Sequence, residues 1–280
     1  MCPNTKNILA DFEAKLRLQR YSPSSIKTYK NALAKFLAAF ASFDLEHIKL
    51  EQITQFLISL QKRQKISIAY QKQILATIAK FYQLYYNKRL DLTALYPHRK
   101  AKPLPRYLTI TEVKYLLNQC NNVKHLCILN ILYGCGLRVS EVVALKIVDV
   151  DSAAMRLMVR NAKGQKDRVV PLPKTLLENL RTYYMAFRPK YFLFEGQSGA
   201  AYSVKSIQQL TKKYARKAQI SKTVTPHILR HSYATHQLEN GVNIRYVQEL
   251  LGHNSIKTTE VYTHISKVTQ DSLANPLDKL

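Results

Sequence analysis

The sequence predicts a mainly α-helical fold with a small β-hairpin, built as two domains: an N-terminal helical bundle and a C-terminal mixed α+β domain. Three observations carry this. Apolar residues recur at three- and four-residue steps through the first hundred positions. A stretch with three prolines and four Lys or Arg residues, PHRKAKPLPR at 97–106, then breaks the pattern. Beyond it, helical patterns flank one alternating segment with a glycine-containing turn, MRLMVRNAKGQKDRVVPLP. The expected divisions are 1–96, a basic linker at 97–106, and 107–280 with a tail at 263–280.

The elements follow in order. Residues 9–18 form a first short helix. In SPSSIKTYKNALAKFLAAFASF, the residues Ile26, Tyr29, Leu33, Phe36, Leu37 and Phe40 share one face, and Ser22 with Pro23 forms an N-cap and first-turn pair. Residues 53–60 give a third helix, and 66–86 a fourth, with Ile74, Ile78, Phe81 and Tyr85 on its apolar stripe. In the second domain, TITEVKYLLNQC and VKHLCILNILYGCG read as helices, the latter stopped by its glycines. After the hairpin, helical patterns occupy 173–187, 203–217, 226–240 and 243–251.

Composition bounds what such a chain does. It holds 43 Lys and Arg against 18 Asp and Glu, net +25. The surplus is spread: +13 over residues 1–106 and +12 over the rest. Basic surface on both halves suits a protein that encloses a polyanion, because each cation meeting a phosphate releases counterions. With 46% apolar and 22% charged residues the chain is neither disordered nor membrane-spanning. Cys2, Cys120, Cys127 and Cys135 form no CxxC pair, and the first residues lack the apolar core of a signal peptide. The expected location is a reducing cytoplasm with free thiols. A zinc site on Cys120, Cys127 and Cys135 matches no ligand spacing.

Three segments could carry chemistry. In TPHILRHSYATH (225–236), Thr225 is a good N-cap and Pro226 a good first residue. His227 and Arg230 then share a helix face near unpaired N–H groups and a positive dipole end, a setting suited to phosphate. A capping histidine and an Arg–carboxylate pair fit the same spacing. His227 and His231 stand four apart as zinc ligands do in H-E-x-x-H, but Ile228 occupies the place of the glutamate. In GCGLRVSEVVAL (134–145), Arg138 offers a planar fork for two phosphate oxygens, with Glu141 one turn on to hold it. A plain surface Arg–Glu pair reads the same way. The hairpin turn NAKGQKDR offers Lys163 and Lys166, either for proton delivery or for a backbone contact.

Together these segments resemble the tyrosine recombinases of the phage integrase family, especially the Xer-type members. HILRHSYATHQLENGVNIRYVQELLGHNSIKTTEVYTH resembles their C-terminal signature, GCGLRVSEVVAL the segment of their first catalytic arginine, and AKGQKDRVVPLP their lysine hairpin. The likeness spans 107–265 in ordered motifs; the N-terminal helices resemble the core-binding domain by pattern and charge. The resemblance implies a catalytic domain in the second half. There Arg138 and Arg230 clamp the phosphate, Lys163 is the general acid, His227 a proton-transfer or hydrogen-bonding partner, His253 a phosphate-contacting donor, and Tyr262 the nucleophile, with Glu141 in support. It further implies a covalent 3′-phosphotyrosine intermediate, no metal or ATP, and a double-stranded DNA site as partner. A tetramer on two sites, joined through the tail at 263–280 and able to include a second recombinase, also follows. Lys27, Arg99, Lys100, Lys102, Arg106, Lys166, Arg168 and Arg245 are expected to meet DNA. Type IB topoisomerase activity and non-catalytic DNA binding are the competing readings. Neither the target sequence nor a choice between dimer resolution and element movement is written in the residues.

Overall fold

A computed structural model describes residues 3–97, 106–160, 167–253 and 255–262. It divides into two compact units, residues 1–101 and 102–280. The elements are predominantly helical, with one small sheet. No helix among the described residues is long and apolar enough to cross a membrane.

Unit one is built on four helices: α1 (Pro3–Leu18), α2 (Pro23–Ala39), α3 (Leu50–Gln64) and α4 (Ile68–Tyr86). The Ser22 side chain accepts from Ser25 N and Pro23 opens the first turn, as the sequence indicates. Ser67 caps α4 in the same way, so the helix begins two residues later than its apolar run suggests. Asn87 in the left-handed conformation ends it (φ 49°). The interior is aromatic: Phe12, Phe36 and Phe81 are fully buried, and Phe36 packs edge-on against Phe56. Helix α1 starts well before residue 9, because a polar first turn has no apolar period to reveal it.

Unit two places α6 (Val123–Gly134) at its centre, with Cys127, Ile128, Leu129, Ile131 and Leu132 all solvent-inaccessible. Around it lie α5 (Ile110–Asn118), α7 (Val139–Ala144), α8 (Lys174–Phe187), α9 (Val204–Lys217), α10 (Pro226–Glu239) and α11 (Ile244–Leu251). Thr109 and Glu112 form a reciprocal capping box on α5. The alternating segment folds as strands β2 (Arg156–Val159) and β3 (Arg168–Pro171), paired antiparallel with Leu157 opposite Val170, both buried. A two-residue strand, β1 (Val150–Asp151), adds a third strand beside β2. The hairpin tip with Lys163 and Lys166, linker residues Arg99, Lys100 and Lys102, and the tail from 263 lie outside the described residues. Cys120, Cys127 and Cys135 are each buried and free, and burial pushes Cys127 and Cys135 up to about 12. Such thiols pack in the core as small apolar groups.

Candidate active site

Helix α6 ends at Gly134, and the chain turns through Cys135 and Gly136. Gly136 has φ +61°, and a Cβ there would lie 2.4 Å from the Tyr233 ring, so only glycine lets the turn pass beneath α10. The turn delivers Arg138 to the start of α7, where its backbone N–H donates to Glu141 Oε2 at 2.8 Å. Its side chain donates from Nη1 to Glu141 Oε1 at 2.8 Å and from Nη2 to the Gly252 carbonyl at 2.9 Å. Arg138 and Glu141 are thus bonded through both side chain and backbone, and the pair is not a surface one. The Glu141 side chain is only 5% exposed.

Glu141 also binds Arg168, whose Nη1 and Nη2 donate to Oε1 and Oε2 at 2.9 and 2.8 Å. Arg168 Nε donates to the Leu250 carbonyl at 2.8 Å. The fork of Arg168, expected to meet DNA, is thus turned inward onto protein groups. Strand alternation carries that signal, since Arg168 shares a face with buried Val170. Burial raises the Glu141 carboxyl, but the hydrogen bonds and charge of Arg168, joined by Arg138, prevail and hold it at about 2.

Thr225 caps α10 and Pro226 occupies its first turn, fixing the helix face that carries His227, Arg230 and His231. Arg230 is 1% exposed, the largest fully buried side chain among the described residues. Its Nη1 donates to Gly136 O at 2.7 Å and Nη2 to Leu251 O at 2.6 Å, while Glu141 Oε2 stands 3.8 Å from Nη1. Burial, then the like charge of Arg138, lowers Arg230 to about 9, so it remains a cation at neutral pH. Leu250, Leu251 and Gly252 therefore give their carbonyls to Arg168, Arg230 and Arg138 in turn. The negative end of α11 is capped by arginines from three other parts of the unit.

Gly252, in the left-handed conformation, terminates α11 and leads into His253. His253 Nδ1 lies 3.0 Å from Oγ1 of buried Thr259. Burial, Arg230 and Arg138 bring its pKa to about 3, which makes it neutral at physiological pH. The chain then reaches Tyr262 through short 3-10 turns. Tyr262 is 2% exposed and packs with Tyr233, Ala234, Leu238, Val247 and Leu251. Its ring lies nearly parallel to His253 (14°, centroids 6.5 Å apart). Its hydroxyl is 2.6 Å from His231 Nδ1. Burial raises the Tyr262 pKa above its ordinary 10, against the pull of Arg230 and Arg138.

His231 was visible in the sequence only as the partner of His227 at metal-ligand spacing. The structure gives it a different use. Burial, His227 and Arg230 bring it to about 4, so it is neutral at physiological pH. With the phenol pushed above its ordinary pKa and the imidazole brought below its own, the resting pair is phenol and imidazole. Among the described residues no group of three or more His, Cys, Asp or Glu could hold a metal. His227 is exposed, its ring centroid 4.6 Å from that of His231, and its pKa is lowered by its surroundings and by Arg230 and Arg138.

The structure thus brings Arg138, Glu141, His227, Arg230, His253 and Tyr262 into one neighbourhood of unit two. Of the expected DNA contacts, Lys27 on α2, Arg106 and Arg245 on the first turn of α11 are exposed. Lys163, the expected general acid, is outside the described residues together with Lys166, Arg99, Lys100 and Lys102.

Comparison with known proteins meets this geometry. Residues 106–268 match the Phage integrase family, and residues 8–92 match the Phage integrase, N-terminal SAM-like domain. The chain is 37% identical to the tyrosine recombinase XerA of Pyrococcus horikoshii over 98% of its own length and 93% of that protein's. It is 37% identical to the tyrosine recombinase XerD of Staphylococcus epidermidis, covering 88% of this chain and 89% of the other. A crystal structure of XerA recombinase matches with a TM-score of 0.54 at 29% identity, over 93% and 94% of the two chains. A lambda integrase dimer bound to a COC′ core site shares the fold, with a TM-score of 0.77 at 17% identity over 96% and 79%. By sequence, by fold and by the residues gathered around Tyr262, this chain belongs to the phage integrase family, among its tyrosine recombinases.

Proposed function

We propose that the chain is a site-specific recombinase that cuts and rejoins duplex DNA through a covalent 3′-phosphotyrosine. The observation that carries this reading is that Tyr262, its hydroxyl 2.6 Å from His231 Nδ1, stands within electrostatic reach of Arg138 and Arg230, whose heads are fixed in place by protein carbonyls and, for Arg138, by the Glu141 carboxylate. Relatives support DNA as the partner: XerH site-specific recombinase is known bound to its difH substrate.

The chemistry follows from charge. A phosphodiester gains negative charge on its non-bridging oxygens as Tyr262 Oη approaches phosphorus. Arg138 and Arg230 supply fixed positive charge there, and neutral His253 and His227 can donate hydrogen bonds without repelling either arginine. The P–O5′ bond breaks as Oη–P forms, and the leaving oxygen takes a proton, the role we assign to Lys163. Because the new phosphodiester conserves the bond energy, resealing by a 5′ hydroxyl needs no ATP. The two arginines do the electrostatic work a metal would otherwise perform. We further assign the tail at 263–280 to docking between protomers of a tetramer on two sites, and place the reaction in the cytoplasm.

The test begins by selecting bound duplexes from a random pool and building a nicked suicide substrate from the recovered site. In excess EDTA and without ATP, the wild-type chain should form an adduct that survives a denaturing gel, and Tyr262→Phe should form none. Persistence of the adduct in Tyr262→Phe would remove Tyr262 as nucleophile. Two sites on one supercoiled plasmid separate the rivals: recombinant products identify a recombinase, and relaxation without them a topoisomerase.

Binding to that site should also weaken steeply with salt. Contact with at least about six phosphates lowers affinity roughly a thousandfold between about 50 and 200 mM salt. A fluorescence-anisotropy titration that stays nearly flat over this range contradicts an enclosing mode of binding.

A further inference from the structure

Tyr262 has little freedom. Its ring is clasped by an apolar cluster and its residue is 2% exposed, so what remains is rotation of the hydroxyl hydrogen. Where that hydrogen points decides whether the oxygen can attack. A phenol whose O–H is aimed at a phosphate oxygen is a hydrogen-bond donor to its own substrate and presents no lone pair to phosphorus. A phenol whose O–H is held elsewhere presents one. His231 Nδ1 stands 2.6 Å from Oη, a short contact suited to a hydroxyl donating to an imidazole. The imidazole comes from the second turn of α10, one residue after Arg230, and its ring lies 5.4 Å from the Tyr262 ring centroid. The element that supplies a phosphate clamp therefore also supplies the hydroxyl's acceptor.

We propose that His231 is a positioning residue for the nucleophile: by accepting the Tyr262 hydroxyl hydrogen at Nδ1, it turns an oxygen lone pair toward the scissile phosphorus. This rests on Tyr262 being the nucleophile. As Oη–P forms and P–O5′ breaks, the hydrogen leaves Oη along the same bond, so Nδ1 receives the proton while the leaving oxygen takes another from the general acid. Negative charge gathered on the phosphate at that moment stabilises the imidazolium, which the resting site disfavours. His227 then remains on the exposed side of the pair, free to meet the phosphate.

Four variants and two substrates test this. Single-turnover adduct formation is measured on the ordinary nicked substrate and on one whose scissile phosphate carries a bridging 5′ sulfur, a leaving group that needs no proton. Loss of the acceptor in His231→Phe should slow cleavage about a hundredfold, on both substrates. Lys163→Ala should be rescued by sulfur, which separates the attacking side from the leaving side. His231→Asn places its amide oxygen near the Nδ1 position and should recover at least about tenfold of the loss through the restored hydrogen bond. His231→Gln reaches past that position and should recover less. If His231→Phe loses its fold, as judged by its urea midpoint, the Asn and Gln variants carry the comparison alone. Cleavage by His231→Phe within about threefold of wild type, rescue of it by sulfur, or a folded Asn variant no faster than Gln each overturns the proposal. Absence of an adduct from the wild-type chain would instead count against the recombinase reading itself.

Discussion

Exchange of Glu141 for glutamine is expected to destabilise the chain by about 3–5 kcal/mol, because it leaves cations of a buried cluster without their counter-charge. The carboxylate is 5% exposed and binds Arg168 through both oxygens and Arg138 through the side chain and backbone. An isosteric amide keeps the shape and removes the charge, so Arg138, Arg168 and Arg230 repel one another unrelieved. The pH dependence has a definite sign. The folded carboxyl sits at about 2 against an ordinary 4.5. A depressed carboxyl stabilises the fold fully above its unfolded value, so the contribution is complete above about pH 4.5 and is lost as pH falls toward 2. Its size from that difference is roughly 3 kcal/mol, the same order as the substitution estimate. Urea titrations of both forms at pH 7 and pH 3 check this: the gap should be wide at pH 7 and narrower at pH 3. A gap that does not depend on pH would assign the loss to packing.

Replacing Arg230 with lysine is expected to slow cleavage a hundred- to a thousandfold, about 3–4 kcal/mol of transition-state stabilisation, while DNA binding changes only a few-fold. Charge is retained, so a purely Coulombic role would be spared. The planar fork is not retained. One Nη donates to Gly136 O and the other to Leu251 O, and these two bonds fix the plane of the guanidinium. A lysine ammonium is a single point that cannot hold both carbonyls and a phosphate at once. Single-turnover adduct formation beside anisotropy binding on the same substrate reads the split. Cleavage within about threefold of wild type would demote Arg230 to a packing cation.

How much of this was legible in the sequence can be judged residue by residue. Helices α2 and α4 were readable because an apolar stripe of long period and a serine cap agreed with each other. The hairpin was readable because alternation on both sides of a turn has no helical alternative. Helix α7 and strand β1 were not, being six and two residues long and too short for any period to show. Within the site, the spacing of His227, Arg230, His253 and Tyr262 along the chain survives into space because two helices, one short connection and two tight turns join them. Glu141 was seen at the right partner but at the wrong depth, since burial comes from Arg168, twenty-seven residues away on a strand. His231 was left without a role for a similar reason. Its partner is brought by the fold from thirty-one residues downstream, and local spacing pointed at His227 instead.

The arginine-capped end of α11 has a consequence for what the chain can tolerate over time. Three consecutive carbonyls answer to three side chains rooted in separate elements. One residue added to or removed from α11 turns its end by about 100° and slides it about 1.5 Å, which takes all three acceptors out of reach together. A helix exposed on one side would ordinarily drift in length among descendants of one gene. This one is held to its eight residues from outside, by the three arginines it terminates on.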